Sequence, residues 1–252
     1  VTESAAAILI VGHGSREPRA NAAFEAFVCA YARTRSDGAT IAHAYVELAH
    51  PTVDEALAAL APTHERVVVV PLFLFLVGHT KNDIPLALAR ARLHFPATTF
   101  VASRELGVHP ALVEIAFERA EAAAEARGIP RADTVAVIVG RGSSDPDANG
   151  EFHKLARLFG EGRGYRWVLP CFIGIAQPLV PATLDLVGRL RPTAVVLVPY
   201  FLFDGRLCEK LRDEAAAFAE HYPWIASAVA APLAPDPRLF GVIDERIAAA
   251  TT

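Results

Sequence analysis

Three side chains in the first half of the sequence belong to types that hold a divalent metal ion or take up a proton. Each stands just after, or at the end of, an apolar run. His13 follows "ILIV", Glu47 closes "IAHAYVEL", and His79 lies in "LVGHTKNDIP" after "VVVVPLFLF". Two imidazoles and one carboxylate suit a first-row divalent ion such as Co, Fe, Ni or Zn, with open positions left for a substrate. A neutral imidazole is also an effective proton acceptor.

The sequence contains this frame twice. "VGHGSREPRAN" at 11–21 returns as "VGRGSSDPDAN" at 139–149, with seven of eleven letters identical and an offset of 139 − 11 = 128. "YVELAHP" at 45–51 matches "FIGIAQP" at 172–178, and "VVVVPLFLF" at 67–75 matches "VVLVPYFLF" at 195–203. The chemistry does not return with the frame. His13 becomes Arg141, Glu47 becomes Gly174 and His79 becomes Arg206. Arginine neither ligates a metal nor gives up its proton, but it grips carboxylates through two nitrogens. One half is therefore expected to present a metal-and-proton rim and the other a carboxylate-binding rim. Arg16, Lys81, Arg141 and Arg206 are the candidates for contacting an anionic substrate; a solvated rim charge is the alternative for each taken singly.

The elements needed to position these residues are legible in the pattern. Unbroken Val/Ile/Leu runs, without strict alternation, are the signature of strands buried on both faces. They alternate with helical stretches, which predicts parallel sheets with crossover helices. Thr52 and Glu55, just after Pro51, have the spacing of a capping box at a helix start. A further helix is expected from about Asp83, as N-cap ahead of Pro85, to Phe95, and a long one closes at Gly128. The expected fold class is α/β, with two similar doubly wound halves of about four parallel strands each and a cleft between the halves. The repeat sets the domain limits at 1–128, carrying the metal site, and 129–252, the degenerate copy that clamps substrate. Ligands of such folds bind beyond the carboxyl ends of the strands, which brings His13, Glu47 and His79 to one rim.

Composition narrows the classes. The chain has 252 residues, 53% hydrophobic and 21% charged, with a net charge of −4, and is long enough for a substantial core. No basic block points to nucleic acid, and the apolar runs are too short for a membrane span. Cys29, Cys171 and Cys208 lie far apart, which fits a reducing cytoplasm, with Cys171 and Cys208 as small buried residues. "GHGSREP" has Glu17 where a dinucleotide fingerprint has its third glycine, and neither a phosphate-binding P-loop nor a G-x-S-x-G elbow occurs. Ser15 and Ser143 recur in both copies, which favours a structural turn or an anion-binding helix start over a nucleophile. His50 is expected either behind the ligands or at helix entry, and His43 in packing. His64, His94, His153 and His221 read as surface residues, and His109 stays open.

"GHGSREPRAN", "VELAHPTVDEAL" and "PLFLFLVGHTKNDIP" resemble, in order, the class II tetrapyrrole chelatases, and more narrowly the sirohydrochlorin cobalto- and ferrochelatases. The resemblance covers the first half closely and the second as a degenerate copy. Half-length members pair as homodimers, and this chain is similar to the fused long form. The resemblance implies ATP-independent insertion of Co²⁺ or Fe²⁺ into sirohydrochlorin, in cobalamin or siroheme biosynthesis. It implies His13 and His79 as metal ligands and proton acceptors with Glu47 assisting, no tightly bound cofactor, and the metal as substrate. The duplication supplies a pseudo-dimer, so a monomer is expected. A non-enzymatic metal or tetrapyrrole carrier is the rival of another class.

Overall fold

The computed structural model describes residues 6–75 and 80–252. Its first sheet contains β1 (Ala7–Gly12), β2 (Thr40–Tyr45), β3 (Arg66–Pro71) and β4 (Thr99–Ala102), all parallel, in the order β2-β1-β3-β4. Between them run α1 (Pro18–Thr34), α2 (Val53–Leu60) and α3 (Thr80–His94). After α4 (Pro110–Glu125) the pattern restarts with β5 (Thr134–Gly140), α5 (Pro146–Gly160), β6 (Trp167–Phe172) and α6 (Val180–Leu190). It continues with β7 (Ala194–Pro199), α7 (Arg206–His221), β8 (Ala226–Val229) and α8 (Arg238–Thr251). The second sheet has the matching order β6-β5-β7-β8, again all parallel. The expected class, two doubly wound parallel sheets of four strands, is the class observed.

The central strands β1 and β5 are buried along their whole length, because helices cover both faces of each sheet. The predicted capping box is present. Thr52 Oγ1 accepts from the Glu55 amide, and the Glu55 carboxylate accepts from the Thr52 amide at 2.7 Å. The helix expected from Asp83 begins earlier, at Thr80, so Asp83 falls in its first turn and is not its N-cap. The carboxylate still stands where a helix favours negative charge.

The compact units follow packing rather than the repeat. One comprises Val1–Gly107 with Pro237–Thr252, the other Val108–Asp236. The difference from a division at Gly128 arises because α8 packs on β3 and β4, whereas α4 packs on β7, β8 and α5. Within the first unit Phe240 of α8 meets Phe27 and Tyr31 of α1. Within the second, Phe117 of α4 meets Phe159 of α5 and Tyr165.

Candidate metal centre

Strand register aligns the carboxyl ends. Gly12 lies opposite Tyr45 and Val11 opposite Pro71, so the segments leaving β1, β2 and β3 emerge at one edge of the first sheet. Pairing continues past the strands: the Val46 amide donates to the Gly12 carbonyl and the Glu47 amide to the His13 carbonyl, each at 3.0 Å. His13 and Glu47 are thereby held side by side. His13 Nδ1 is 3.5 Å from Glu47 Oε1, too long for a good hydrogen bond, so neither group is spent on the other. The side chains are 38% and 57% exposed, open to an incoming ion. Phe73, after β3, presents its ring edge-on to His13 with centroids 6.4 Å apart.

Gly14 makes this approach possible. Its φ is +89°, and a Cβ there would stand 1.8 Å from the Glu47 carbonyl oxygen. The turn that follows is held by Asn21, whose Oδ1 accepts from the Ser15 amide and whose Nδ2 donates to the Ser15 carbonyl, both at 2.9 Å. Ser15 Oγ accepts from the Glu17 amide. The second unit repeats every one of these bonds with Asn149, Ser143 and Asp145. The serines thus build the same turn in both copies, which supports the structural-turn reading. Sequence reasoning passed over the asparagines, although their retention in both copies was the available signal.

His13 and Glu47 are the members of the expected ligand set that the structure brings together. His79 lies outside the described residues, immediately before α3. Among the described residues no group of three His, Cys, Asp or Glu side chains is arranged to hold a metal ion. Arg16 is exposed on the turn after β1, and Lys81 belongs to the first turn of α3.

At the corresponding edge of the second sheet, Arg141 follows β5 and is exposed. Gly174 follows β6, and a Cβ there would meet nothing within 4 Å. Arg206 is the first residue of α7, exposed, with Gly205 as N-cap. Among the described residues Arg16, Arg141 and Arg206 make no ion pair, so these cations are uncommitted.

The other histidines have local partners. His50 Nδ1 lies 2.9 Å from Glu55 Oε2 at the start of α2, which supports the helix-entry reading. His43 packs edge-on against Phe24 and Tyr45. His109 is the N-cap of α4 and accepts from the Ala111 amide. Cys171 and Cys208 are buried, and burial pushes their thiols up, to about 12 and about 11.

The CbiX family matches the chain twice, over residues 7–123 and 135–250. The chain belongs to the CbiX family. A relative named sirohydrochlorin cobaltochelatase, from Priestia megaterium, is 32% identical over 95% of this chain and 78% of its own length. One named sirohydrochlorin ferrochelatase, from Bacillus subtilis, is 29% identical over 86% of this chain and 82% of its own. A solved structure described as SirB from Bacillus subtilis with Fe3+ superposes with a TM-score of 0.85 at 26% identity, covering 98% of this chain and 95% of that one. The double CbiX match coincides with the two sheets, so the internal duplication is one of whole family units. No described helix is long and apolar enough to cross a membrane.

Proposed function

We propose that this CbiX chain inserts Co²⁺ into sirohydrochlorin without nucleotide or a tightly bound cofactor, the metal being a substrate. The observation that carries this reading is the pair His13 and Glu47, exposed and unspent at the strand edge of a chain 32% identical to a cobaltochelatase. In the reaction the ring loses two pyrrole N–H protons as the ion enters, so the products are the metallated ring and two protons. His13, Glu47 and His79 would bind the ion, and the imidazoles and carboxylate would take up the protons. The rim of the second sheet would bind carboxylates of the ring through Arg141 and Arg206, with Arg16 and Lys81 doing the same at the first. Gly174 fits that role, because a carboxylate at its position would repel an acidic macrocycle. The repeat 1–128 would thus supply the metal chemistry and 129–252 the grip, in a monomer working in the cytoplasm.

Fe²⁺ insertion into the same ring is the second reading, favoured by the ferrochelatase relatives at 29% and 30% identity. The test is absorbance-monitored metallation of sirohydrochlorin with Co²⁺ and Fe²⁺ side by side, nucleotide absent. Turnover beyond one equivalent is expected, faster with Co²⁺; stoichiometric uptake without acceleration would make the protein a carrier. His13→Ala and His79→Ala should abolish turnover with the fold retained, since rim residues contribute little to the core. Arg141→Ala and Arg206→Ala should raise KM about tenfold, the loss of one charge-assisted bond, with metal affinity unchanged.

A further inference from the structure

A positive φ is a conformation that side chains disfavour, most strongly when large or β-branched. Among the described residues other than glycine it occurs at Leu48 (65°), Asp133 (62°), Ile175 (64°) and Arg191 (46°). Asp133 is of a type that tolerates it. Leu48 and Ile175 are apolar, and they occupy one register, 175 − 48 = 127. Each directly follows the position at which the first half carries Glu47 and the second Gly174.

Neither side chain is tucked away: Leu48 is 49% exposed and Ile175 is 67% exposed. The fold thus twice holds a large apolar group in solvent, on backbone that glycine would adopt more easily. The backbone around both is braced. In the first unit the Tyr45 amide donates to the Pro51 carbonyl at 2.9 Å and the Glu47 amide to the His13 carbonyl at 3.0 Å. In the second, the Phe172 amide donates to the Pro178 carbonyl and the Ile173 amide to the Gly140 carbonyl, each at 2.9 Å. Lys210 Nζ donates to the Ile173 carbonyl at 3.0 Å. The Ala176 amide reaches back to the Gly174 carbonyl at 2.7 Å, closing a three-residue turn with Ile175 at its centre. Such turns are rare and strained, and strained backbone persists where surrounding bonds over-determine it, commonly at ligand sites.

We propose that Leu48 at the rim of the first sheet and Ile175 at the equivalent rim of the second are each, within its own unit, an apolar contact for the flat face of a tetrapyrrole. The proposal rests on the chelatase reading above and deepens it. The macrocycle combines an acidic perimeter with an apolar plane. The uncommitted cations Arg16 and Arg141, on the turns after β1 and β5, match the perimeter. Charged groups do not match the plane, and a binding site for so large a ring needs apolar surface as well as polar anchors. Leu48 supplies that surface one residue from Glu47, and Ile175 does so beside the space that Gly174 leaves open. Rigid backbone keeps each side chain raised before the ring arrives, so little ordering is left for the binding step.

The test is titration of metal-free sirohydrochlorin, under exclusion of oxygen, into wild type, Leu48→Gly and Ile175→Gly, with thermal unfolding of each. Glycine relieves the positive φ, so Tm should equal or exceed that of wild type. Kd should nevertheless rise about fivefold or more, because apolar area covered on binding is lost. The salt dependence of binding should stay as in wild type, since the charged contacts remain. Leu48→Met and Ile175→Leu should restore affinity. If wild type binds the ring and both glycine variants bind equally tightly, the inference falls while the chelatase reading stands. If the glycine variants lose several degrees of Tm, the side chains serve the fold and the inference falls. If wild type itself does not bind sirohydrochlorin, both fall together.

Discussion

His13 and Glu47 meet because one residue between them in space has no side chain. The Gly14 position combines a φ of +89° with a carbonyl oxygen 1.8 Å from where a Cβ would stand. Gly14→Ala must therefore push the turn after β1 away from the segment after β2, separating the candidate ligands. The expected loss is about 3 kcal/mol, a fall in Tm on the order of 10 °C, with metallation lost as well. Gly38 separates the two contributions. Its φ is +74° but nothing lies within 4 Å of its missing Cβ, so Gly38→Ala carries the backbone strain alone. Thermal unfolding should show the Gly14 variant clearly below the Gly38 variant. Equal losses would mean that the contact with Glu47 is of no consequence.

Helices α4 and α8 occupy equivalent places in the repeat, and each is fastened by an arginine one repeat apart, 246 − 119 = 127. Arg246 is buried, with Nε donating to the Glu105 carbonyl at 2.9 Å and Nη2 to the Leu106 carbonyl. Arg119 is more open and donates from Nη2 to the Pro235 carbonyl at 2.8 Å, with Asp236 3.7 Å away. Truncating Arg246 leaves two carbonyls without their charged donor, that of Leu106 buried and that of Glu105 partly so. Arg246→Ala is therefore expected to destabilise by about 2–4 kcal/mol, and Arg119→Ala by about 1 kcal/mol. Denaturant unfolding monitored by circular dichroism checks the order. A reversal would assign the fastening of these helices to their apolar faces.

At the scale of the molecule, buried phenols tie folding to alkaline pH. Tyr31, Tyr45 and Tyr200 are almost fully buried, and Tyr165 is half-buried. Burial raises all four phenols well above the ordinary range near 10, and hydrogen bonds to Asp244, Glu25 and Glu121 add to it for Tyr31, Tyr45 and Tyr165. The protonated phenol is thus the form that the fold favours. Its stabilisation is fully present below the unfolded value near pH 10 and is lost as pH rises through the folded values. In a Tyr222→Phe background, which leaves only these four phenols, tyrosinate absorbance should therefore stay low to about pH 10 and then rise together with loss of far-UV circular dichroism. A smooth rise that precedes unfolding would show these phenols to be open to solvent.

Much of this protein follows from its sequence alone, for a physical reason. Unbroken runs such as "RVVVVP" are too apolar to leave either face wet, so parallel strands between helix layers are the one arrangement that satisfies them. The loss of His13, Glu47 and His79 in the second copy was likewise visible, because a retained frame makes a changed side chain stand out. Two features were beyond local pattern. Which sheet α4 and α8 each cover could not be read, because the repeat gives the two helices similar faces and either could follow either sheet. Only long-range contacts, such as Phe240 against Phe27 and Phe117 against Phe159, decide it. The raised, exposed positions of Leu48 and Ile175 were equally hidden. In sequence they continue apolar strands, and only the turn that carries them to positive φ turns them out of the core.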